Sequence, residues 1–453
     1  MHSLWWETCK IQERQTLEKD LETQVLVIGG GMAGILTAYQ LQKSGKKVLV
    51  LEANRIGSGQ TGNTTAKITS QHGLCYHGFL KKIGAEKARL YARGNQAAIQ
   101  EYENIIKTEQ ISCDFEKQSS FVYGKSRADL EAEAQTAAFL GLPASLVREN
   151  LTLPFPVWGA VKFQNQAQFH PLKFLHALSE HLVIYEHSPV YKVEENTAYT
   201  KYGTVKAEQI IFTCHIPFLN FPGAYFARIH QERSYVLALE HGMKTNGMYI
   251  GSGEHGFSFR NYGPYLLLGG MGHRTGEDAS LPKYQQLRNL AAKWFPKSKE
   301  LCCWSAQDGI TSDGIPYIGP YAKGKQNWYV AAGFQKWGMS TSMVAAMLLR
   351  DFILERENPW EAVFSPKRFS TADLSFLCKE GGHSVKGLTR QLLADFQKTG
   401  KPPVCPHLGC QLTWNPEEES WDCPCHGSRF DKHGNLLNGP AQTSLSPSCS
   451  LKK

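Results

Sequence analysis

The sequence has no run of about 18 consecutive apolar residues, the minimum for a helix that crosses a membrane. Its first 23 residues contain five acids, Glu7, Glu13, Glu18, Asp20 and Glu22, which do not suit the apolar core of a signal peptide. It also has no blocks of lysine and arginine, so its net charge of +8 does not indicate nucleic-acid binding. We therefore expect a cytoplasmic protein without a membrane span.

Cysteine is present, but its distribution does not favour a disulfide framework. The chain has 12 cysteines in 453 residues, and four of them fall in one C-terminal cluster while the others are scattered. This usage indicates metal binding more than covalent cross-linking. The length is sufficient for two or three domains with a large buried core.

The stretch over residues 24–52 reads as a nucleotide-binding unit. Residues 25–28 form a short apolar, β-branched run that predicts a buried parallel strand, and GGGMAG follows at residues 29–34. A helix is expected over residues 32–44 and a second strand over residues 48–51. A glycine-rich turn without a ligand is the alternative, but the order of strand, loop, helix and strand favours nucleotide binding.

Each residue type in this unit has a physical role. Gly29 permits the tight turn, Gly31 lets the backbone approach a pyrophosphate, and Gly34 lets the helix pack closely on the strand. Glu52 follows Gly34 by 18 residues, where an acid can bond a ribose 2′-OH. The following loop, residues 55–70, is rich in glycine, threonine and serine. It offers N–H and hydroxyl groups to phosphate and flavin, the alternative being a solvated surface loop.

The middle of the chain predicts helices over residues 85–107 and 126–140 and a strand over residues 158–169. Alternating aromatic and aliphatic residues over 230–275 predict a separate antiparallel sheet. A short strand over residues 328–332 then leads into glycines and a helix over residues 341–354. The N-terminus of that helix would present free N–H groups to a flavin carbonyl.

Two segments now support a family resemblance. VLVIGGGMAG…VLVLE near the start and TSDGIPYIG…NWYVAAGFQKWGMS near the end resemble the FAD-dependent D-amino-acid oxidase superfamily, in particular its glycine/sarcosine oxidase and gamma-glutamylputrescine oxidoreductase branch. FQNQAQFHP and ERSYVLALE are similar to the same branch, so the resemblance covers residues 1–360. It implies FAD as the cofactor and removal of a hydride from the carbon beside an amine.

The resemblance also implies site residues. Those expected to contact FAD are Gly29, Gly30, Gly31, Met32, Ala33, Gly34, Glu52, Ala53, Arg55, Thr61, Thr64, Thr65, Lys67, Val190, Gly314, Gly333, Lys336, Trp337, Gly338 and Met339. Those expected to line the substrate side of the predicted sheet are Tyr249, His255, Arg260, Tyr262 and His273. Because a neutral amine can give up hydride directly, no catalytic residue is assigned among them.

The C-terminal cluster has the most specific motif in the chain. Cys405 and His407 form a C-x-H pair, and Cys423 and His426 form a C-x-x-H pair. This set can bind one iron through two sulfurs and a second iron through two nitrogens, or it can bind one tetrahedral zinc ion.

The loop sequences CPHLGC and CPCHGS resemble the Rieske family, which favours a [2Fe-2S] cluster over zinc. The resemblance implies that Cys410 and Cys425 form a disulfide and that residues 438–441, NGPA, form the proline loop that covers the cluster. Because about 50 residues bury little core alone, we expect this shortened module to dock on the flavin domain or on a linker helix over residues 383–398.

We predict an α/β fold, α+β overall, with a Rossmann-like FAD-binding domain, an antiparallel-sheet substrate domain and a small all-β Rieske subdomain. The flavin enzyme spans residues 1–360, with FAD-binding parts at about 22–80, 183–220 and 308–355 and substrate parts at about 85–180 and 225–305. A helical linker covers residues 361–400 and the Rieske subdomain residues 401–453.

The predicted function is dehydrogenation of an amine or amino acid, with electrons leaving singly to a protein or quinone-like acceptor. One alternative is a reductase in which a protein donor feeds the cluster and then the flavin. A redox sensor without enzymatic activity is another. The sequence has no evident 2-His-1-carboxylate iron site, which argues against a Rieske oxygenase.

Overall fold

The computed structural model describes residues 2–253, 256–277, 282–368 and 402–446. The helices are α1 Leu4–Thr8, α2 Met32–Lys43, α3 Tyr76–Thr108, α4 Arg127–Phe139, α5 Pro171–Ser179, α6 Tyr225–Arg228, α7 Lys283–Trp294, α8 Gly338–Ile353 and α9 Glu361–Phe364. The strands before residue 220 are β1 Leu21–Ile28, β2 Val48–Leu51, β3 Lys67–Ile68, β4 Glu116–Gly124, β5 Ala144–Val147, β6 Gly159–Gln168, β7 Val183–Tyr185, β8 Lys192–Glu194, β9 Thr197–Tyr199 and β10 Thr204–Phe212. The later strands are β11 Ile229–Glu240, β12 Met248–Gly251, β13 Ser258–Tyr262, β14 Tyr265–Arg274, β15 Lys299–Thr311, β16 Tyr317–Pro320, β17 Trp328–Ala332, β18 Thr413–Asn415, β19 Ser420–Asp422, β20 Arg429–Asp431 and β21 Leu436–Asn438.

The first sheet is the nucleotide-binding sheet. Its strand order is β16-β17-β10-β1-β2-β7, and the small strands β8 and β9 extend it beside β10. The neighbours of β1 on both sides run parallel to it, and every residue of β2 is buried. Apolar, β-branched runs suit such strands because helices cover both faces of a parallel sheet. The short strand predicted at residues 25–28 is therefore the buried end of β1.

The second sheet has the order β15-β11-β14-β13-β12-β4-β6-β3, with β5 paired to β6. Most of its pairs are antiparallel as expected, but β4 and β12 run parallel, so the sheet is mixed. The residues paired there are far apart in the chain, for example Ser120 and Met248. Local alternation of apolar residues could not indicate the direction of this contact.

Helix α8 leads away from the end of β17 and packs against α2 and α3. It begins at Gly338, three residues before the predicted start at residue 341, so Gly338 and Met339 belong to its first turn. Helix α3 has a kink at Gly84, where φ is +78°. In the described part of the chain, no helix is long and apolar enough to cross a membrane.

The C-terminal module is a four-stranded antiparallel meander, β18-β19-β20-β21. Its core is small and contains the four cysteines of the motif together with Leu412, Phe430 and Ala441. The helix predicted at residues 383–398 lies outside the described residues. The module itself contacts the flavin part of the chain, as we expected from its size.

Candidate functional site

The glycine loop between β1 and α2 has the geometry that its sequence predicts. Gly29 has φ of +116°, a left-handed conformation that favours glycine. A Cβ atom on Gly34 would lie 1.9 Å from the carbonyl oxygen of Gly29, so the helix can approach the loop only if residue 34 lacks a side chain. The Met32 N–H donates to the hydroxyl of Thr61 at 2.9 Å, which fixes the following loop against the start of α2.

Glu52 lies at the end of β2, beside the glycine loop. Its carboxylate accepts hydrogen bonds from the backbone N–H groups of Gly30, at 2.6 Å, and Asn54, at 2.8 Å. Burial raises the pKa of this carboxyl above its ordinary value, against the opposing effect of these donors. The acid is therefore held in one orientation at the cavity wall, which fits the recognition of a ribose hydroxyl.

A cavity of about 1360 Å³ runs from the glycine loop to the C-terminal module. Fifteen of the twenty residues expected to contact FAD lie along it: Gly29, Gly31, Met32, Ala33, Glu52, Ala53, Thr61, Thr64, Thr65, Lys67, Val190, Lys336, Trp337, Gly338 and Met339. Their distribution along one elongated space, with a glycine cradle and an acid at one end, fits a dinucleotide such as FAD.

The other five expected residues do not line the cavity, and their contact with FAD stays a prediction. Gly30 and Gly34 shape the glycine loop without facing the space. Gly314 and Gly333 occupy turns with φ of +80° and +70°, and a Cβ on Gly333 would lie 2.4 Å from the Thr311 side chain. Arg55 turns away, where it donates to the Ile11 carbonyl and lies over the Trp6 ring.

The cavity wall at the start of α8 is held in place by a histidine that was not among the predicted site residues. His72 stacks on Trp337 with ring centroids 5.0 Å apart and an angle of 15° between the planes. Its Nε2 atom also lies 2.9 Å from the Ser340 hydroxyl, in the first turn of the helix. Burial lowers the pKa of His72 to about 3, so the imidazole is neutral.

Four predicted substrate-side residues have structural roles, and none of them lines the cavity. The buried Tyr249 stacks on Phe121, and Tyr262 donates to the Asp114 carboxylate at 2.7 Å. His273 stacks on Tyr235, with its Nε2 3.0 Å from that hydroxyl.

The Arg260 guanidinium donates to the carbonyl oxygens of Thr65 and Ala66, each at 2.6 Å. These bonds hold the guanidinium against the backbone of the loop over residues 55–70, so it does not face the cavity. His255 lies outside the described residues. These candidates were placed on the correct sheet but on surfaces that other elements cover.

The sheet instead presents two acids that sequence reasoning missed. Glu232 of β11 and Asp308 of β15 are directly opposite each other in the antiparallel register. Lys336 reaches Glu232, with Nζ 2.9 Å from Oε2, and both Asp308 and Lys336 line the cavity. The available signal was a carboxylate within a strand, immediately before the C-terminal flavin motif.

The two loops of the C-terminal module have the same backbone design. The N–H of Cys405 donates to the Cys410 carbonyl, and the N–H of Cys423 donates to the Ser428 carbonyl, both at 2.8 Å. A glycine in the fifth position of each loop then donates back to the first cysteine, with φ of +82° at Gly409 and +80° at Gly427. Each loop thereby presents one cysteine and one histidine on the same side.

The four predicted ligands converge at the tips of these loops. The Cys405 and Cys423 side chains are hydrogen-bonded to each other, and the two histidine rings have centroids 5.0 Å apart. Among the described residues, no partner hydrogen-bonds the buried Nδ1 atoms of His407 and His426. Two sulfurs and two orphaned imidazole nitrogens fit a cluster with two ligands of each kind.

The electrostatics of these residues suit metal ligation. Burial lowers the pKa of His407 to about 4 and, with the neighbouring His407 and Arg274, that of His426 to about 3, so both imidazoles are neutral. The hydrogen bond from Cys423 lowers the pKa of Cys405 to about 7, while the same bond and burial raise that of Cys423. Two neutral imidazoles and an easily ionised thiol are the forms that bind metal.

Cys410 and Cys425 are joined by a disulfide. Their sulfur atoms lie within 4.8 Å of the Cys423 sulfur, but they are bonded to each other and so are not available as thiolate ligands. The disulfide therefore connects the two ligand loops and leaves Cys405 and Cys423 as the sulfur donors.

The histidine side of the module faces the flavin part of the chain. The Gln231 amide donates to the carbonyl oxygens of His426, at 2.6 Å, and Gly439, at 3.0 Å. The Phe226 ring contacts both histidine rings edge-on, at 5.4 and 5.2 Å between centroids. The His407 Nε2 atom is 2.7 Å from the Asn220 Oδ1 atom. The end of the module that carries the two histidines is thus buried in the interface.

A buried ion pair completes this interface. Arg233 of β11 forms an ion pair with Glu418 of the C-terminal module, and the side chains are 1% and 9% exposed. The Glu418 carboxylate is also 2.9 Å from the guanidinium of Arg429. Burial alone would raise the pKa of Glu418, but the two arginines hold it at about 2.

Comparison with known proteins agrees with this architecture. The family model for FAD-dependent oxidoreductases matches residues 24–352, and the model for the Rieske [2Fe-2S] domain matches residues 402–448. YhfW of Bacillus subtilis (strain 168), a protein named for a Rieske 2Fe-2S iron-sulfur centre, is 35% identical over 96% of this chain and 95% of its own length.

Solved structures show the same fold for the flavin part. Glycine oxidase from Geobacillus kaustophilus has a TM-score of 0.64 at 17% identity, over 77% of this chain and all of its own. L-proline dehydrogenase from P. horikoshii has a TM-score of 0.65 at 18% identity, over 77% of this chain and 98% of its own. The chain therefore belongs to the family of FAD-dependent oxidoreductases and has, at its C-terminal end, a Rieske domain for a [2Fe-2S] cluster.

Proposed function

We propose that this oxidoreductase dehydrogenates a C–N bond of an amine or amino acid. When bound, FAD supplies a hydride acceptor for the carbon beside the nitrogen, and the Rieske cluster supplies a one-electron exit to an external acceptor. The observation that carries the proposal is the single cavity that the glycine loop, the mixed sheet and the C-terminal module enclose together. We expect a cytoplasmic location, which remains a prediction.

The chain's own residues would hold both groups. The backbone around Gly29 and Gly31 would cradle the pyrophosphate, Glu52 would bond the ribose, and the start of α8 would face the flavin ring. Cys405, His407, Cys423 and His426 would bind the cluster. The geometry of the glycine loop and the convergence of the two thiols and two imidazoles support these assignments.

The docked arrangement supports an internal electron exit. Both proposed histidine ligands lie against Phe226, and Gln231 of β11 contacts the backbone of His426 directly. Ligation by two histidines raises the reduction potential of an iron–sulfur centre relative to ligation by cysteine alone, which favours electron flow from flavin to cluster. The reductase alternative requires the opposite flow and has no comparable structural support.

The substrate class rests on two observations. The solved structures of similar fold are named as a glycine oxidase and an L-proline dehydrogenase, whose named substrates contain an amine. The cavity wall beside Lys336 and Trp337 also presents a carboxylate, Asp308, that suits a cationic amine. A protein or quinone-like carrier would receive the electrons.

Anaerobic titration of the protein loaded with FAD and cluster tests this function. We expect one or a few compounds of a panel of amines and amino acids to bleach the flavin absorbance, while alcohols of the same shape leave it unchanged. Bleaching by a reduced protein donor, together with no response to any amine, would instead support the reductase alternative.

A further inference from the structure

Two acids face each other across the strands β11 and β15. Glu232 and Asp308 are direct partners in the antiparallel register, where the Cβ atoms of opposite residues are about 5 Å apart. Like charges in this position repel each other, so the two carboxylates do not ionise equally. Their environments decide which of the two holds a proton.

Glu232 is fixed in its ionised form. Its carboxylate is 3.2 Å from the Nε2 atom of His230 and 2.9 Å from the Nζ atom of Lys336. The bond with His230 and the charge of Lys336 lower its pKa to about 2, although burial opposes them. The negative charge of this pair therefore resides permanently on Glu232 at neutral pH.

Asp308 is the acid of the pair that can exchange a proton. Burial and the facing Glu232 raise its pKa, Lys336 and Arg233 oppose them, and the net result is a pKa of about 7. Its carboxylate accepts no hydrogen bond from the residues that the structure describes, and it lines the cavity. A pair of carboxylates with widely separated pKa values provides one permanent charge and one acid–base group.

The cations around Asp308 are already engaged. Arg233 pairs with Glu418, and Lys336 pairs with Glu232. Arg233 and Glu232 are neighbours on β11, and successive side chains of a strand point to opposite faces. The Arg233 side chain thus pairs with Glu418 of the C-terminal module, while the Glu232 side chain points to the opposite face of the strand, where it meets Lys336. A substrate carboxylate beside Asp308 would meet the repulsion of two acids, whereas an ammonium group would be attracted.

We propose that Asp308 binds the ammonium group of the substrate and accepts a proton from it, which identifies the substrate as a cationic amine recognised through its nitrogen. In this step an N–H bond breaks, an O–H bond forms on the Asp308 carboxyl, and the electron pair remains on nitrogen. The neutral amine is the form able to lose a hydride. This inference rests on the proposed function, because it assigns the substrate class of the same cavity.

Three probes of one shape test the recognition. tert-Butylammonium has no hydrogen on the carbon beside nitrogen, so it binds without turnover; pivalate and tert-butanol provide the anionic and neutral counterparts. Binding to the FAD-loaded protein is followed by the change in flavin absorbance and by calorimetry at pH 6, 7 and 8. We expect wild-type protein to prefer tert-butylammonium and to bind it more tightly as Asp308 ionises through pH 7. A preference for pivalate, or affinity that does not rise with pH, would overturn the inference.

Two variants test whether Asp308 is the group that binds tert-butylammonium. Asp308→Asn keeps the shape but removes the charge, and we expect it to bind tert-butylammonium roughly 10- to 100-fold more weakly and to lose the pH dependence. Glu417→Gln is the matched control, because this acid lines the same cavity but accepts from the Tyr284 and Gln285 N–H groups. Equal losses in both variants, or no loss in Asp308→Asn with its FAD retained, would contradict the assignment. If Asp308→Asn does not fold, the wild-type pH series decides.

The failure of this inference is distinct from the failure of the proposed function. Amine turnover that is unchanged in Asp308→Asn would refute the role of Asp308 alone. Binding of tert-butylammonium that depends on Asp308, in a protein that no amine reduces, would refute the dehydrogenase function alone. For any amine that is turned over, the rate of flavin reduction should rise through pH 7 in wild-type protein and be flat in Asp308→Asn.

Discussion

The ion pair between Arg233 and Glu418 predicts that a single neutral substitution weakens the contact between the two parts of the protein. In Glu418→Gln the buried Arg233 would lose its carboxylate, while Ser305 and Gln307 remain as weaker partners. Removal of one member of a buried pair costs about 3–5 kcal/mol, because the remaining charge stays desolvated. We expect a decrease of this size in the free energy of unfolding of the C-terminal module.

Chemical denaturation followed by the visible circular dichroism of the cluster measures this free energy. The neighbouring Glu419→Gln is the control, since Glu419 pairs with Lys432 at the surface, where the two side chains are 59% and 47% exposed. Such a pair contributes about 0–1 kcal/mol. The double variant Arg233→Met with Glu418→Met should recover much of the loss, because apolar residues can replace a buried ion pair at little cost. Equal effects of Glu418→Gln and Glu419→Gln would refute the reasoning.

The same pair predicts a pH dependence. The folded protein holds the pKa of Glu418 at about 2, below its ordinary value of 4.5. A lowered pKa gives stability that is complete above the ordinary value and is lost as the pH falls through the folded one. The difference between wild type and Glu418→Gln should therefore be full above pH 4.5 and decrease toward pH 2.

Three further predictions concern the cofactor sites. Gly34→Ala should abolish FAD retention, measured by absorbance after gel filtration, because its Cβ would clash with the Gly29 carbonyl; Gly78→Ala, with open space around its Cβ, should retain FAD. Cys423→Ser should lose the iron of the cluster and keep FAD, measured by metal analysis of the same samples. Asn220→Ala should raise the reduction potential of the cluster in a redox titration, because the His407 N–H would lose its acceptor and the ligand would become less electron-donating.

The parts of the site that the sequence predicted are contiguous motifs. The glycine loop and the paired cysteine and histidine motifs specify their own backbone geometry, since the glycines with positive φ and the ligands lie within six residues of one another. Both the FAD family and the Rieske domain could therefore be identified before the fold was known.

The remaining features depend on contacts between distant segments. Glu232 and Asp308 are opposite each other only because of the register between β11 and β15, which no local pattern encodes. Arg260 appeared to be a substrate-side residue, but the flavin loop at residues 65–66 covers it. The alternation of a strand predicts which residues share a face, whereas the neighbours of that face depend on the tertiary fold.

The docking surface of the C-terminal module also depends on contacts between distant segments. Its own core is small, and Gln231, Gln307 and Arg274 contribute hydrogen bonds to its ligand loops from the flavin part. Close approach is possible because Gly276 and Gly427 leave no side chain in the interface. The flavin part of the chain thus stabilises the shortened domain. The small size of the module predicted that it would dock, but not which residues would form the docking surface.

The most direct test of the account is anaerobic rapid mixing of the loaded protein with an amine that bleaches the flavin, followed by flavin absorbance and by the EPR signal of the reduced cluster. In wild-type protein, we predict that the EPR signal appears after bleaching within a single turnover. In Cys423→Ser, we predict bleaching without the EPR signal. A bleached flavin beside a cluster that stays oxidised in wild-type protein would contradict the proposed electron exit.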